Sequence, residues 1–473
     1  MKWLHRGSLL VLLLSLWLVN SCSHKAPATR LDRAKWNQAT LNGYYDTIGS
    51  RNPKWDQDAR EALSRFAEIS TASADQSEIL TELIGDATDN AVTAGCDDPM
   101  ILSLHVRYSS AVHSKPLSDR QDLYRGAADQ LENSPYPPIR KFYGNMAAAE
   151  TLWQRRNTNL WPDVVRLRHA SISDLTQALQ EKSLPEGEAY DAATALFKLL
   201  AHNRGEITNA YNQIESALAH QSGKAAMADF IEAAFYVQYA WQARGHGTAD
   251  QVTEEGWKLF HERNTLAQKA LEHAWSRDSQ DPQIPTLMIS IVLSQEQGRP
   301  EMEKWFNRAM QIDTNNYAAC RAKLNFLLPQ WYGSRDDMLE FGRQCVASTN
   351  WAGEVPLTLV DAHGDFDRTL SGADREAYWT SPDVWPDIKA AYEKFAELNP
   401  DKTQFRYPYA WYAYHCGQTN DFVEQIQLIR KNDGEVRYAY FGGKDAFDQV
   451  WAQATGAAAP TNKPATGAGP AGH

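Results

Sequence analysis

The chain has 473 residues, and 47 lysines and arginines stand against 59 aspartates and glutamates, which gives a net charge of −12 at pH 7. An acidic chain of this kind argues against nucleic-acid binding and against adhesion of the protein surface itself to anionic lipid. The length suffices for two or three average domains or for one long repeat array. We therefore predict no nucleic-acid partner.

The N-terminus has the pattern of a bacterial lipoprotein export signal. A positively charged start precedes an apolar core over residues 9–19, which is shorter than the roughly 20 residues that span a bilayer. Ser21 and Cys22 then match the small residue and the lipid-bearing cysteine of a lipoprotein cleavage site. We predict a signal peptide over 1–21, lipidation of Cys22 and a flexible tether over 22–40. The alternative is an ordinary signal peptide with an incidental cysteine.

This signal predicts a bacterial cell-envelope protein that faces the periplasm or the cell surface and is held to the membrane by its N-terminal lipid. Disulfides are permitted in such a compartment. Cys320 and Cys345 lie symmetrically about residues 331–334, so a helical hairpin turning there would put both at the same level. We predict a disulfide between them. The alternative is a pair of small buried residues at a close helix contact.

Strand signals are nearly absent, whereas alanine-rich helical periodicity runs through most of the chain. Short patterns of small and apolar residues recur at a regular step. The pattern that starts at Ala267 returns at Met302, 35 residues later, and the turn glycines Gly298 and Gly333 are also 35 residues apart. A constant step of this length is typical of stacked helical hairpins.

The recurring pattern resembles tetratricopeptide repeats, whose period is about 34 residues. The resemblance covers residues 186–452, although most copies lack the consensus Trp-Leu-Gly of the first helix. It implies an all-α fold in which helical hairpins stack as a tetratricopeptide-like superhelix, an α-solenoid. We predict a further helical region over 41–182, with its seam near residues 183–187, and a disordered tail over 456–473.

A second resemblance concerns residues 239–257 and 327–334, which are similar to segments of exported bacterial proteins whose function is not established. It supports the fold and implies no chemistry. Arg244 and His246 fall where a repeat should turn, and loops on repeat scaffolds often carry function. We name both as candidate partner-binding residues, with a purely structural turn as the alternative.

An aromatic stretch supplies the other candidate partner-binding residues, Tyr407, Trp411 and Tyr414. Aromatic side chains alternate along this helix and cannot all be buried on one face. An exposed strip would suit a peptide or a glycan, whereas internal packing of the array is the alternative.

No catalytic motif is present: the sequence has no His-Glu-x-x-His, Gly-x-Ser-x-Gly, P-loop or Cys-x-x-Cys pattern. Residues 363–376 echo the spacing of a calcium loop, but Leu370 stands where that loop requires glycine. We therefore predict no catalytic residue, no metal and no cofactor.

Together these features predict a non-enzymatic, membrane-anchored scaffold whose concave groove binds a protein or peptide partner. The alternative is an enzyme built as a closed α/α ring that cleaves polysaccharide with paired carboxylates, for which Asp365 and Asp367 are candidates. A closed ring with facing carboxylates and tryptophans would favour this enzyme. A purely structural role in envelope assembly is a third hypothesis.

Overall fold

The computed structural model describes residues 28–456, apart from gaps at 70–73, 155–156, 182, 203, 220, 222, 246 and 434–435. Within this part the chain forms 22 α-helices and a few short 3₁₀ turns, and no strand. The predicted all-α class is confirmed. None of the described helices is both long and apolar enough to cross a membrane. The predicted signal peptide, Cys22 and the tail beyond Gly456 lie outside the described residues.

The N-terminal region contains eight helices, of which neighbouring ones pack as antiparallel pairs. Their bounds are α1 Ala28–Ile48, α2 Asp56–Ile69, α3 Ala74–Thr93, α4 Pro99–Tyr108, α5 Ser110–His113, α6 Leu117–Glu132, α7 Pro138–Trp153 and α8 Trp161–Gln180. Asp98 shows how the sequence starts one of them. Its buried carboxylate accepts the free amides of Met100 and Ile101 and so caps α4.

The remaining helices form six hairpins that stack on one another, with α18 inserted in the fifth and α22 packed on the last. The inner helices are α9 Glu186–Leu200, α11 Ala225–Arg244, α13 Gln283–Ser294, α15 Tyr317–Phe326, α17 Thr358–Asp367 and α20 Arg406–His415. The outer helices are α10 Arg204–Leu218, α12 Glu254–Arg277, α14 Arg299–Ile312, α16 Arg335–Ala347, α19 Val384–Leu398 and α21 Thr419–Asp433. Helix α18 spans Gly372–Trp379, and α22 spans Lys444–Thr455.

Small residues set how closely these helices approach. Ala210 and Ala267 are fully buried at the positions where the repeated pattern has small side chains. At Gly342 on α16, a Cβ atom would lie 2.7 Å from the Cα atom of Leu359 on α17. The two backbones are therefore in contact at this point, and no side chain larger than hydrogen fits between them.

This contact predicts opposite effects for two Gly→Ala substitutions. Gly342→Ala should lower the free energy of unfolding by about 1–3 kcal/mol, because α16 and α17 must separate. Gly364→Ala on α17 is the matched control, since nothing lies within 4 Å of its added Cβ. It should raise stability by about 0.5–1 kcal/mol through helix propensity. Denaturant unfolding followed by circular dichroism measures both, and equal effects would contradict the close crossing.

One apolar core joins the N-terminal region to the hairpin stack. It runs from Ile139 and Phe142 on α7, through Ile172 on α8, to Phe447 on α22. A second cluster around Tyr45 and Leu63 joins the first four helices to Leu131 on α6 and to Tyr136. Residues 41–182 therefore continue into the stack through shared packing across the predicted seam at residues 183–187.

The structure differs from the prediction of a flexible tether over residues 22–40, because α1 begins at Ala28 and is packed onto the protein. The buried guanidinium of Arg140 on α7 donates to Asn37 Oδ1 at 2.9 Å and to Thr40 Oγ1 at 3.0 Å. Arg140 also lies 4.9 Å from the ring centre of Trp36. Because polar residues make these contacts, this part of α1 shows no hydrophobic periodicity. The sequence pattern therefore did not indicate a packed helix here.

The N-terminal helices reach both ends of the hairpin stack. At one end Arg33 on α1 pairs with Glu188 on α9, with 2.6 Å between Nε and Oε2. At the other end Arg437, which follows α21, pairs with Asp86 on α3 at 2.6 Å. The stack must therefore curve so that its first and last hairpins both meet α1–α3. Of the first hairpin, inner helix α9 contacts α1, α7 and α8, and outer helix α10 contacts α8.

A buried carboxylate pair in the N-terminal region predicts a pH-dependent stability. Burial first, and the nearby charge of Glu132 second, raise the pKa of Asp174 to about 7. The Asn145 side-chain amide donates to both acids at 2.9 Å. A carboxyl with a raised pKa stabilises the fold at low pH, and this contribution is lost as the pH rises from about 4 to about 7.

Asp174→Asn should therefore match the parent protein near pH 4 and be more stable by about 2 kcal/mol at pH 8. The asparagine stays neutral and keeps the hydrogen bond to Asn145. Urea unfolding across this pH range measures the difference. A constant difference at every pH would contradict the raised pKa.

Candidate functional site: a cleft on the inner helices

A cleft of about 590 Å³ opens between α1 and the inner faces of α9, α11, α13 and α15. We call it the inner cleft. Its lining residues are Arg33, Asp191, Thr194, Phe230, Pro282, Gln283, Thr286, Leu287, Ser290, Asp313, Asn316, Tyr317, Ala318, Arg321 and Ala322.

Helical spacing explains why these residues share one surface. Residues four apart in an α-helix lie on the same face. On α15, Ala318 and Ala322 form such a pair, as do Tyr317 and Arg321. The alanines leave space between the longer side chains. The cleft therefore forms where this face of α15 carries alanines between its longer, polar side chains.

One end of the cleft is formed by Arg33, whose guanidinium pairs with both Glu188 and Asp191. Glu188 is buried and also accepts a hydrogen bond of 2.7 Å from the hydroxyl of Tyr143 on α7. Burial alone would lower the pKa of Arg33, but the two carboxylates raise it above its ordinary value. Arg33 is thus firmly charged, and it joins α1, α7 and α9 at this end.

The other end is formed by Arg321, which again lies between two carboxylates. Its Nη1 is 3.5 Å from Asp361 and 3.2 Å from Asp365, both on α17. The hydroxyl of Tyr317 donates to Asp361 at 2.5 Å, and Arg368 pairs with Asp365. Both ends therefore present one guanidinium held by two acids that are one helical turn apart.

Between these ends the cleft has an apolar floor and hydrogen-bonding groups on its walls. Phe230 is 95% buried as part of the floor, where its ring stacks on Tyr190 at 3.9 Å. Asn316 caps α15 by accepting the amide of Ala319, and its side-chain amide donates to Thr286 at 2.9 Å. The hydroxyls of Thr194 and Ser290 also line the cleft, and hydroxyls are groups that can bind peptide backbone.

The structure places Arg244 at the turn after α11, outside the inner cleft. Its guanidinium donates to the carbonyl oxygens of Gly245 at 3.2 Å and Gly247 at 3.1 Å. It also lies between the rings of Trp241 and Trp257, at 5.3 Å and 5.2 Å from their centres. These contacts hold the turn together. His246 lies outside the described residues.

The aromatic residues of α20 pack mainly against their own surroundings. Tyr407 is 99% buried. Trp411 is half-buried and its ring lies 3.9 Å from that of His415, while the half-buried Tyr414 packs against Phe422. The partner-binding residues predicted from the sequence therefore lie in separate places, and none of the described ones lines the inner cleft.

Cys320 and Cys345 are brought together as the hairpin geometry predicts. Both side chains are buried, and the Cys320 thiol interacts with that of Cys345. Burial first, and the contact with Cys345 second, raise the pKa of Cys320 well above its ordinary value. In the structure both are free thiols, so the S–S bond itself stays a prediction.

Under oxidising conditions this pair of thiols should become linked. Unreduced digestion of the native protein is expected to yield one peptide pair joined through Cys320 and Cys345, and the bond should add about 3 kcal/mol of stability. Cys96 and Cys416 are the internal controls, because they should be alkylated after denaturation without reductant. Alkylation of all four cysteines would contradict the predicted disulfide.

The acids named for the alternative enzyme do not form a facing pair. Asp365 pairs with Arg321 and Arg368, whereas Asp367 pairs with Arg375 and accepts a hydrogen bond from Trp379 Nε1 at 2.9 Å. Residues two apart on a helix point to different sides. Among the described residues, no group of three or more His, Cys, Asp or Glu side chains is arranged to hold a metal ion.

Sequence reasoning missed Arg33, Asp191 and Arg321, which form the ends of the inner cleft. A usable signal existed on α15, where two polar residues and two alanines each repeat at a spacing of four. The acids facing Arg33 and Arg321 lie on other helices, and only the fold brings them together.

In comparisons with known proteins, no family model and no curated protein matches the chain.

Proposed function

We propose that this protein is a lipid-anchored scaffold of the bacterial cell envelope that binds an extended segment of a partner protein in the inner cleft. The observation that carries the proposal is the cleft itself, which crosses four successive inner helices and is open to solvent. Stacked helical hairpins commonly use such surfaces for binding. An apolar floor with amides and hydroxyls beside it suits a peptide, since both side chains and backbone find partners.

The binding role is favoured over the polysaccharide enzyme by what lines the cleft. No tryptophan is among the lining residues, and the acids at both ends are engaged by Arg33 and Arg321. A glycoside hydrolase needs two carboxylates across an open space of roughly 5–10 Å. Asp365 and Asp367 are held by different arginines, so they do not supply that arrangement.

Membrane anchoring would place the cleft close to the bilayer. Five residues separate Cys22 from Ala28, where α1 begins. Fully extended, they reach about 20 Å at most. Since Arg33 at the start of α1 forms one end of the cleft, a lipidated Cys22 would hold that end within a short distance of the membrane surface.

Site-specific photo-crosslinking in the native envelope tests the proposal. A benzophenone amino acid is placed at Ala318, which is exposed in the cleft, and in a second protein at Lys269, which is exposed on outer helix α12. We expect Ala318 to cross-link repeatedly to one segment of one protein, identified by mass spectrometry. A synthetic copy of that segment should compete with the reaction.

A bulky side chain placed inside the cleft is compared with the same side chain placed outside it, which is the matched control. Ala318→Trp should fill the cleft and reduce cross-linking from a benzophenone at Ser290 by about ten-fold, whereas Ala111→Trp on α5 should leave it unchanged. Both alanines are exposed, so neither substitution disturbs the core. Identical cross-links from Ala318 and Lys269, or none from Ala318, would refute the binding role of the cleft.

A further inference from the structure

We infer that a second pocket, between α10 and α11, binds a small aliphatic amine whose positive charge is held by the carboxylates of Glu215 and Glu232. This second pocket has a volume of about 230 Å³. It shares no lining residue with the inner cleft, so the inference is independent of the proposed function. Its lining residues are Tyr211, Ile214, Glu215, Leu218, Ala219, Ala228, Asp229, Ile231 and Glu232.

The charged groups that line the second pocket are all negative. Three of its nine lining residues are acidic, namely Glu215, Asp229 and Glu232, and the described lining includes no Lys, Arg or His. Arg277 on α12 pairs with Asp229 from outside the lining, with 2.7 Å between Nε and Oδ2. Within the described part of the chain, Glu215 and Glu232 form no ion pair. Three carboxylates less one guanidinium leave two negative charges, which favour a cationic ligand.

Glu232 lacks a counter-charge at a position where it needs one. Its side chain is half-buried. Burial first, and then the charges of Asp229 and Glu215, raise the pKa of Glu232, whereas His273 on α12 acts in the opposite direction. Removing a carboxylate from water is costly unless an opposite charge lies close to it. A bound ammonium group would supply that charge.

Tyr211 brings the two unpaired carboxylates into one place. Its hydroxyl donates to Glu215 at 3.3 Å, and its ring stacks on Phe235 at 4.3 Å. Burial first, and then the charges of Glu232 and Glu215, raise the pKa of Tyr211. Both carboxylates therefore lie near the same hydroxyl, where one small cation can reach them.

The floor of the second pocket is apolar and suits a carbon chain. It consists of the buried side chains of Ile214, Leu218 and Ile231. Sites for drug-sized ligands have volumes of roughly 300–1,000 Å³, so this smaller pocket suits a smaller molecule. An aliphatic amine matches both surfaces, because its methylenes lie on the floor while its ammonium group meets the carboxylates. An anionic ligand of the same size would be repelled.

Isothermal titration calorimetry of the full chain tests the inference with putrescine, butylamine and butanol as probes. At about pH 8 and low salt, we expect putrescine to bind at one site per chain and butylamine to bind about ten-fold more weakly, since it carries one charge instead of two. Butanol should not bind. Binding should weaken as salt rises from about 20 to about 200 mM. Absence of binding by both amines, or equal binding by butanol, would overturn the inference.

Two double variants separate the charge of the second pocket from the charge of the whole protein. Glu215→Gln with Glu232→Gln keeps the shape of both side chains and should weaken putrescine by at least about ten-fold. Glu150→Gln with Glu376→Gln makes the same change in net charge at exposed acids of α7 and α18, and should have little effect. Equal weakening by the two double variants would show a general attraction of cations and would contradict a specific site.

Bulky substitutions locate the binding site. Ala219→Trp fills the second pocket from an exposed position and should abolish putrescine binding without changing any charge. Ala318→Trp fills the inner cleft and should leave putrescine binding unchanged, so this inference and the proposed function succeed or fail separately. The reverse pattern would place the amine in the inner cleft. A Gly-Gly-Lys-Gly-Gly peptide that binds more tightly than putrescine would make a protein side chain the occupant. Either result overturns the inference.

Discussion

The close approach of successive helices at small residues is the constraint on which the rest of the structure depends. At Gly342 the backbones of α16 and α17 are in contact, and buried alanines hold other crossings. Each crossing fixes the position of one hairpin relative to the next, so the small residues set the spacing of all inner helices. The inner cleft is a consequence of that spacing, because its lining residues come from four different hairpins.

Curvature alone would leave the stack open, and polar contacts of the N-terminal helices close it. Arg33 joins α1 to α9, and Arg437 joins the last hairpin to α3. Arg140 fixes α1 on α7 through Asn37 and Thr40. Ion pairs and hydrogen bonds of this kind contribute little net stability but require one geometry. They therefore define where α1 lies against the cleft more than they stabilise the fold.

The sequence predicted the helices well and the site poorly, for physical reasons. Hydrophobic periodicity and turn glycines are local, so spacing alone indicated the 35-residue step and the closeness of Cys320 to Cys345. The first half of α1 was missed because Arg33 and Asn37 dock it through polar contacts. Its fully buried apolar residues, Leu41 and Tyr45, lie in the part that was predicted to be helical. Arg244 was named as a binding residue because its loop interrupts a repeat, yet its contacts hold the turn itself. Contacts between distant helices leave no local pattern.

The charges of the inner cleft are better explained by specificity than by stability. Apolar side chains at Arg321 and Asp365 would pack between α15 and α17 without the desolvation cost of an ion pair. Two carboxylates share Arg33 at one end and leave one net negative charge, whereas at the other end Arg368 joins Arg321 in balancing Asp361 and Asp365. These ion pairs join α1 to α9 and α15 to α17, and each requires one arrangement of the two helices that it joins.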